Sequence, residues 1–182
     1  MVEKSIEFKT IHKLEQWLAN HYTEKDSVWL VYYKPTTKIG DITYTTLVDT
    51  LLCYGWVDSL PRKVDDLRTA IRISPRNPKS NWSRVNKEKV AKLIKEKRMQ
   101  PSGLAIVNQA KKLGTWDALN DVENLVLPED LKLFLQKSKT LPLWEKQSRT
   151  KKRGWLEQLH NAKKEETRTN KIKQIFESLK LH

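Results

Sequence analysis

The fold is decided by residues 56–74, which read WVDSLPRKVDDLRTAIRIS. In the second half of this segment aliphatic and polar side chains alternate, which predicts a strand with Arg68 and Arg72 on the face opposite the aliphatic residues. The pair Asp65-Asp66 interrupts the alternation, so the two halves are predicted to form a β-hairpin. Pro61 lacks a backbone N–H, and it therefore indicates an edge strand or a bulge in the first arm.

The segments before the hairpin predict one more strand and two helices. Residues 28–33 are rich in β-branched and aromatic side chains and predict a strand. Residues 10–21 place apolar side chains at helical spacing behind Thr10, which is the predicted N-cap. Residues 42–44 are predicted to be extended, and Thr45 or Thr46 to cap a short helix that ends at Gly55.

The residues after the hairpin predict a loop and then a series of helices. Two prolines and an Asn-Pro step exclude regular structure from residues 75–81. The first predicted helix has Asn86 as its N-cap and runs to residue 98, and a second covers residues 102–113. A third begins at Pro128, and the last two cover residues 150–162 and 165–179. The fold class is therefore α+β, with a small antiparallel sheet and helices in residues 1–85 and a helical part in residues 86–182. The sequence leaves open whether the two parts share one core.

Composition excludes several classes of protein. The chain of 182 residues has one Cys and four scattered His, which argues against a disulfide scaffold and against a zinc site. The five Gly are too dispersed for a phosphate-binding loop, and neither a Gly-x-Ser-x-Gly nor a His-Glu-x-x-His motif is present. We therefore predict no metal and no cofactor. A charged N-terminus and short apolar runs predict no signal peptide, no membrane span and a cytoplasmic location.

The positive charge is concentrated in two stretches of the chain. The formal net charge is +13, and residues 61–100 contain 13 basic and 4 acidic side chains. Residues 149–182 contain 10 basic and 4 acidic side chains, whereas residues 1–60 contain 6 and 8. A basic stripe is typical of a protein that binds a polyanion, although a solvated surface that keeps the protein in solution gives the same pattern.

Residues 52–59 contain the first candidate group. Cys53 is either a core residue or a reactive thiol that would need a nearby cation. Trp56 and Asp58 are predicted to face the same side of a strand. Asp58 could act as an acid or base or anchor a ligand, but an ion pair with Arg68 or Arg72 across the hairpin is its favoured single role.

Residues 71–86 contain the second candidate group, which is dense in hydrogen-bond donors. Arginine and hydroxyl side chains in a loop stiffened by proline suit a phosphate or another anion. Trp82 could stack on a base or a sugar, or it could be buried while the loop caps the next helix. We predict an anion-binding cleft where the hairpin meets the loop of residues 74–86. The positive charge of this cleft would come from Arg72, Arg76, Lys79 and Arg84.

The last two predicted helices carry a third, basic group near their junction. A solvated helix face is the simpler interpretation of this group. Its members are Lys163, Lys164, Arg168 and Lys171.

These segments resemble the YdeI/OmpD-associated family, also described as bacteriocin-protection proteins. The resemblance runs nearly from end to end. It is carried by Trp17-Leu18, Trp29-Leu30, Ile42-Thr43-Tyr44, residues 52–59, Pro75-Arg76, Ser80-Asn81-Trp82-Ser83, Asn86, Gly103-Leu104 and residues 162–168.

The resemblance implies a bacterial protein with a role in tolerance to bacteriocins or envelope stress. It also implies that any pocket is formed by the residues of the family motifs. Those residues are Tyr44, Cys53, Trp56, Asp58, Arg76, Ser80, Trp82 and Asn86.

Three functions follow as alternatives. The first is a non-catalytic cytoplasmic binding protein for an anionic ligand or nucleic acid. The second is an enzyme of unspecified reaction that uses a pocket around Asp58, Trp82 and Arg76. The third is a protein-interaction module that docks a partner through its C-terminal helices, and exposed apolar surface around Trp144 and Trp155 would favour it.

Overall fold

The structure, a computed structural model, describes residues 4–181 and confirms the α+β class. The chain folds into two compact units, which we call unit 1 (to Trp116) and unit 2 (from Asp117). The strands are β1 (Ser5–Glu7), β2 (Val28–Tyr33), β3 (Trp56–Lys63) and β4 (Arg68–Pro75). The helices of unit 1 are α1 (Ile11–His21), α2 (Tyr44–Tyr54), α3 (Arg84–Lys95) and α4 (Pro101–Lys112), with a 3₁₀ turn at Pro35–Thr37.

Unit 1 contains a four-stranded mixed sheet in the order β1-β2-β4-β3. The predicted hairpin forms β3 and β4, and β4 also pairs antiparallel with β2. The sequence patterns did not identify β1, which pairs parallel with β2 over three residues. Strand β3 lies at the edge, and its register shifts between Asp58 and Pro61, as the proline indicated.

The two faces of the sheet differ in what covers them. Leu30, Ile71 and Ile73 point into a core that is completed by apolar residues of α1, α2, α3 and α4. On the opposite face Arg72 pairs with Trp29 across β4 and β2, and its side chain is exposed. We call this second surface the outer face of the sheet.

Local sequence determines how α2 begins and ends. Thr43, rather than the expected Thr45 or Thr46, is the N-cap, because Thr43 and Thr46 exchange hydrogen bonds in a capping box. Residues 42–44 are accordingly not an extended strand. Gly55 ends the helix with φ of 79°, a conformation that glycine adopts at low cost.

The N-cap of α3 also differs from the prediction. Ser83, not Asn86, caps this helix, and its hydroxyl accepts a hydrogen bond from the Asn86 N–H at 3.3 Å. Asn86 is thus the third helical residue, and its side chain is not used for capping. Helices α3 and α4 pack on the core of unit 1. This unit therefore continues past residue 85, where the sequence predicted that the α+β part ends and the helical part begins.

Unit 2 is helical and has its own apolar core. Its helices are α5 (Asn120–Glu123), α6 (Glu129–Lys137), α7 (Leu141–Glu145), α8 (Arg149–Asn161) and α9 (Glu165–Lys180). Leu131, Leu135, Leu159 and Leu179 are completely buried in this core. Helix α5 had no sequence prediction, and α7 contains Trp144.

Candidate functional site

Tyr44, Asp58 and Asn86, three of the predicted site residues, line one open pocket of about 210 Å³ in unit 1. Tyr44 is the first residue of α2, Asp58 lies on β3, and Asn86 lies in the first turn of α3. The Tyr44 hydroxyl donates a hydrogen bond of 2.9 Å to Oδ2 of Asp58. Thr45 and Lys89 complete the polar lining, and no sequence signal distinguished Lys89 from the other lysines of α3.

An ion pair and a hydrogen bond hold the polar groups of this pocket in place. Lys89 forms an ion pair with Asp49, whose carboxylate is largely buried. Burial raises the pKa of Tyr44, and the hydrogen bond to Asp58 raises it further, so the phenol remains a donor. Burial, together with the Asp58 charge, also raises the pKa of Tyr32. We call the group of Tyr44, Asp58, Asn86 and Lys89 the Asp58 pocket.

Asp58 does not form the expected ion pair with Arg68 or Arg72. It pairs with Ile73 in the ladder and therefore lies on the helix-covered face, whereas Arg72 lies on the outer face. Arg68 instead pairs with Asp65 and Glu7. The enzymatic interpretation required Asp58 to line an open pocket, which it does, but Trp82 and Arg76 are not among the residues that line it. That interpretation stays a prediction.

Cys53 and Trp56 belong to the core of unit 1. Burial raises the pKa of the Cys53 thiol to about 11, which opposes formation of a reactive thiolate. Trp56 packs edge-on against Trp17, with their ring centroids 5.5 Å apart. Neither side chain lines the Asp58 pocket.

Arg76 and Trp82 form a buried stacked pair. The Arg76 guanidinium lies 3.7 Å from the centroid of the Trp82 ring and donates a hydrogen bond of 2.6 Å to the Asn81 carbonyl. Burial lowers the pKa of Arg76 to about 10, so the side chain is still charged at neutral pH. Its Nε finds no hydrogen-bond partner within the described residues. The Trp82 ring is buried, and it also packs against Trp116.

The loop between β4 and α3 is held by its own turn. The Asn77 side chain accepts a hydrogen bond from the Lys79 N–H, and the Asn77 carbonyl accepts one from the Ser80 hydroxyl. The Lys79 side chain is exposed, as is that of Arg84 at the start of α3. The structure thus places the predicted site residues in several locations of unit 1 instead of in one cleft.

Arg72 lies on the outer face of the sheet. Its guanidinium donates two hydrogen bonds, of 2.9 and 2.7 Å, to the Ser27 hydroxyl. Close to it the Arg62 guanidinium lies 4.6 Å from the centroid of the Trp29 ring. Sequence reasoning did not select Arg62, Trp29 or Ser27 for this surface, although the period-two alternation in β4 identified the face itself.

Arg168 has an internal role in unit 2. Its guanidinium donates two hydrogen bonds to the Asp130 carboxylate and one, of 2.8 Å, to the Leu159 carbonyl. Arg168 therefore joins α9 to the start of α6 and the end of α8. The Lys171 ammonium group donates a hydrogen bond to Oε1 of Gln174. The side chains of Lys163 and Lys164, which precede α9, are exposed.

The apolar surface expected around Trp144 and Trp155 is only partly exposed. Trp144 is buried, and its ring packs 5.6 Å from that of Trp155, which is half-buried. Within residues 4–181 no helix combines the length and the apolar character needed to cross a membrane.

Two families match the chain, one in each unit. Residues 6–106, more than half of the chain, match a family described as a domain of unknown function, DUF8412. Residues 124–181 match the family described as bacteriocin-protection, YdeI or OmpD-associated. No curated protein and no solved structure matches the chain.

Proposed function

We propose that the chain, which belongs to the DUF8412 family through residues 6–106 and matches the YdeI/OmpD-associated, bacteriocin-protection family over residues 124–181, is a non-catalytic binding protein for single-stranded nucleic acid. The proposed interface is the outer face of the sheet. The proposed setting is the cytoplasm of a bacterium, in tolerance to bacteriocins or envelope stress.

The exposure of Arg72 and the neutral partner of its guanidinium group carry this proposal. Its side chain is exposed, and the group that orients it is the neutral hydroxyl of Ser27 rather than a carboxylate. An arginine held in this way keeps its full charge and further N–H donors for a phosphate. Arg68 on the same face differs, because Asp65 and Glu7 already neutralise it.

The neighbours of Arg72 suit a nucleic acid better than an isolated anion. Arg62 presents its guanidinium plane above the buried Trp29 ring, and an arginine plane can stack on a base. Lys9 adds a further cation at 5.8 Å from the Tyr33 ring. Aromatic and arginine side chains on an open sheet are a recurring arrangement in the recognition of single strands.

The net charge of +13 favours a polyanion as the ligand. The stretch of residues 61–100, with its 13 basic and 4 acidic side chains, contains both Arg62 and Arg72 of the hairpin. A positive field of this kind speeds the approach of a polyanion and makes its binding dependent on salt.

Binding is tested by fluorescence anisotropy with labelled oligothymidine and with a duplex of the same length, across a range of salt concentrations. We expect saturable binding of the single strand that weakens as salt increases. Replacing Arg72 with Ala should weaken binding by about tenfold and reduce the log–log salt slope by about one, since one phosphate contact is lost.

Arg98→Ala provides the matched control. Arg98 is an exposed arginine of the same unit that follows α3 and contacts Glu96. Its loss changes the net charge by the same amount and should leave affinity nearly unchanged. Absence of binding at low salt, or equal losses in the two variants, would contradict the proposal.

The biological role is tested separately by survival of a bacteriocin-sensitive bacterial strain that expresses the chain. We expect the wild-type chain to raise survival and Arg72→Ala to raise it less. Survival equal to that of the empty-vector strain would contradict the assignment to tolerance and leave the binding test unaffected.

A further inference from the structure

We propose that the Asp58 pocket binds a small molecule through a protonated amino group. This site lies on the helix-covered side of the sheet, where Asp58 pairs with Ile73, whereas the nucleic-acid interface is on the outer face. The inference therefore goes beyond the proposed function and does not depend on it.

The size of the pocket limits its ligand. Its volume of about 210 Å³ is below the range typical of drug-sized ligands, which begins at about 300 Å³. The pocket is open to solvent, and Val48 and Val85 provide apolar surface beside its polar groups. A short aliphatic chain with a polar head group fits these dimensions and this lining.

The charges of the pocket determine the sign of the ligand. Lys89 and Asp49 neutralise each other in an ion pair, which leaves the Asp58 carboxylate as the charge without an opposite charge among the described residues. The group that donates a hydrogen bond to Asp58 is the Tyr44 hydroxyl, which is neutral. An anionic ligand would be repelled by Asp58, whereas an ammonium group would gain a charge-assisted hydrogen bond.

Hydrogen-bonding capacity remains available at two points of the pocket. Oδ1 of Asp58 makes no hydrogen bond with another described residue, since the Tyr44 hydroxyl occupies Oδ2. The side-chain amide of Asn86 likewise makes no hydrogen bond with another described residue. It is not used to cap α3, because the Ser83 hydroxyl is the cap. An ammonium group has three N–H donors, and a carboxylate oxygen with an amide oxygen can accept two of them.

The Tyr44–Asp58 hydrogen bond prepares the carboxylate for this role. Partial desolvation and the hydrogen bond raise the pKa of Tyr44 above its ordinary value, so the phenol is protonated at neutral pH and holds Oδ2 of Asp58. A preoriented acceptor reduces the entropy lost on binding. The arrangement favours a ligand that supplies donors over one that supplies acceptors.

The test is isothermal titration calorimetry with 1,4-diaminobutane and ethanolamine as the amine probes and acetate as the anionic probe. We expect saturable binding of at least one amine to the wild-type chain and none of acetate. Asp58→Asn keeps the shape of the side chain and removes its charge, and it should weaken amine binding by about tenfold or more.

Asp66→Asn is the matched control, because Asp66 is an exposed aspartate of the hairpin turn that contacts Lys63. This variant should bind amines as the wild type does. Tyr44→Phe removes only the hydroxyl of an exposed ring, so it tests the pocket even if Asp58→Asn does not fold, and it should weaken binding by a smaller factor.

Three results would overturn the proposal. They are no saturable binding of either amine at millimolar concentration, equal amine affinity in the wild type and both pocket variants, and binding of acetate in preference to the amines. Loss of oligothymidine binding in Arg72→Ala with amine binding retained would show that the two sites are independent.

Discussion

Two arginines of unit 1 differ from two arginines of unit 2 in what their guanidinium groups contact. In unit 2, Arg153 pairs with Glu123 and Glu157, and Arg168 pairs with Asp130. In unit 1, Arg72 binds the Ser27 hydroxyl, and Arg76 binds a carbonyl and an indole face. Arg153 and Arg168 thus join helices through carboxylates, whereas Arg72 and Arg76 have no carboxylate partner among the described residues. Arg68 of unit 1, which pairs with Asp65 and Glu7, resembles the unit 2 arginines.

The buried polar atoms show the same contrast. Within the described residues, the buried side-chain atoms that lack a hydrogen-bond partner are Thr50 Oγ1, Trp56 Nε1 and Arg76 Nε, and all three are in unit 1. Unsatisfied groups of this kind cost stability, and they are tolerated where packing or function compensates.

The largest expected effect tests the close packing of unit 1. A Cβ at Gly103 would lie 2.2 Å from the Cys53 carbonyl oxygen, so α4 and the end of α2 would have to separate. Gly103→Ala should therefore destabilise the protein by about 3 kcal/mol, as overpacking against backbone does. Urea unfolding followed by circular dichroism measures this, and a loss below about 1 kcal/mol would contradict the packing.

The second effect concerns the single cysteine, which reports on unit 1 alone. A rise in the thiol pKa from its ordinary value to about 11 lowers the thiolate fraction at pH 8 by about a hundredfold. Reaction with Ellman's reagent should be at least that much slower in the native protein than in urea. Similar rates in the two conditions would show that the core around Cys53 is open.

The third effect tests the ion pairs of unit 2. Arg168→Ala removes two hydrogen bonds to Asp130 and one to Leu159, and should cost about 1–2 kcal/mol because part of the pair is exposed and screened. Urea unfolding of the variant and the wild type measures this difference. A matched alanine variant at Lys171, whose ammonium group donates one hydrogen bond to Gln174, should cost less.

The pH dependence follows from the same pair. Hydrogen bonds from Arg168 hold the pKa of Asp130 below its ordinary range. The stabilisation is therefore fully present above about pH 4 and is lost as the pH falls through the lowered pKa. The unfolding midpoints of the wild type and Arg168→Ala should converge under acid, and a constant difference would point to packing rather than charge.

The smallest effect is a gain in unit 2. A Cβ at Gly154, within α8, meets no heavy atom within 4 Å. Gly154→Ala should stabilise the protein by about 0.5–1 kcal/mol through helix propensity alone. Opposite signs for the two glycine variants in the same urea assay would confirm that α4 is packed against backbone at Gly103 whereas α8 has room at Gly154, and a loss at Gly154 would contradict this.

Local patterns in the sequence predicted most of the elements but not all of their ends. The alternation in β4 and the apolar spacing of the helices depend on neighbours in the chain, so they were readable. The caps of α2 and α3 were misplaced because several residues near each start can cap, and only the backbone geometry selects Thr43 and Ser83. Strand β1 was missed because three residues give no periodicity, and its pairing with β2 supplies its order.

The candidate site was predicted only in part for a related reason. Tyr44, Asp58 and Asn86 were each selected from the sequence, and the structure brings them to one pocket. Lys89 was not selected, because its role depends on Asp49, 40 positions away in the chain. Arg72 was assigned to the same cleft as Arg76, although the pleat of β4 turns Arg72 to the outer face.

The sequence by itself determined the α+β class, the hairpin, the two basic stretches and the family motifs, because periodicity, turn residues and charge are properties of neighbouring residues. Only the tertiary structure decided that Asp58 meets Tyr44 rather than an arginine, and that Arg76 is buried while Arg72 is exposed. Those outcomes depend on which face of a strand each side chain occupies and on which helix covers that face. Both are set by long-range packing.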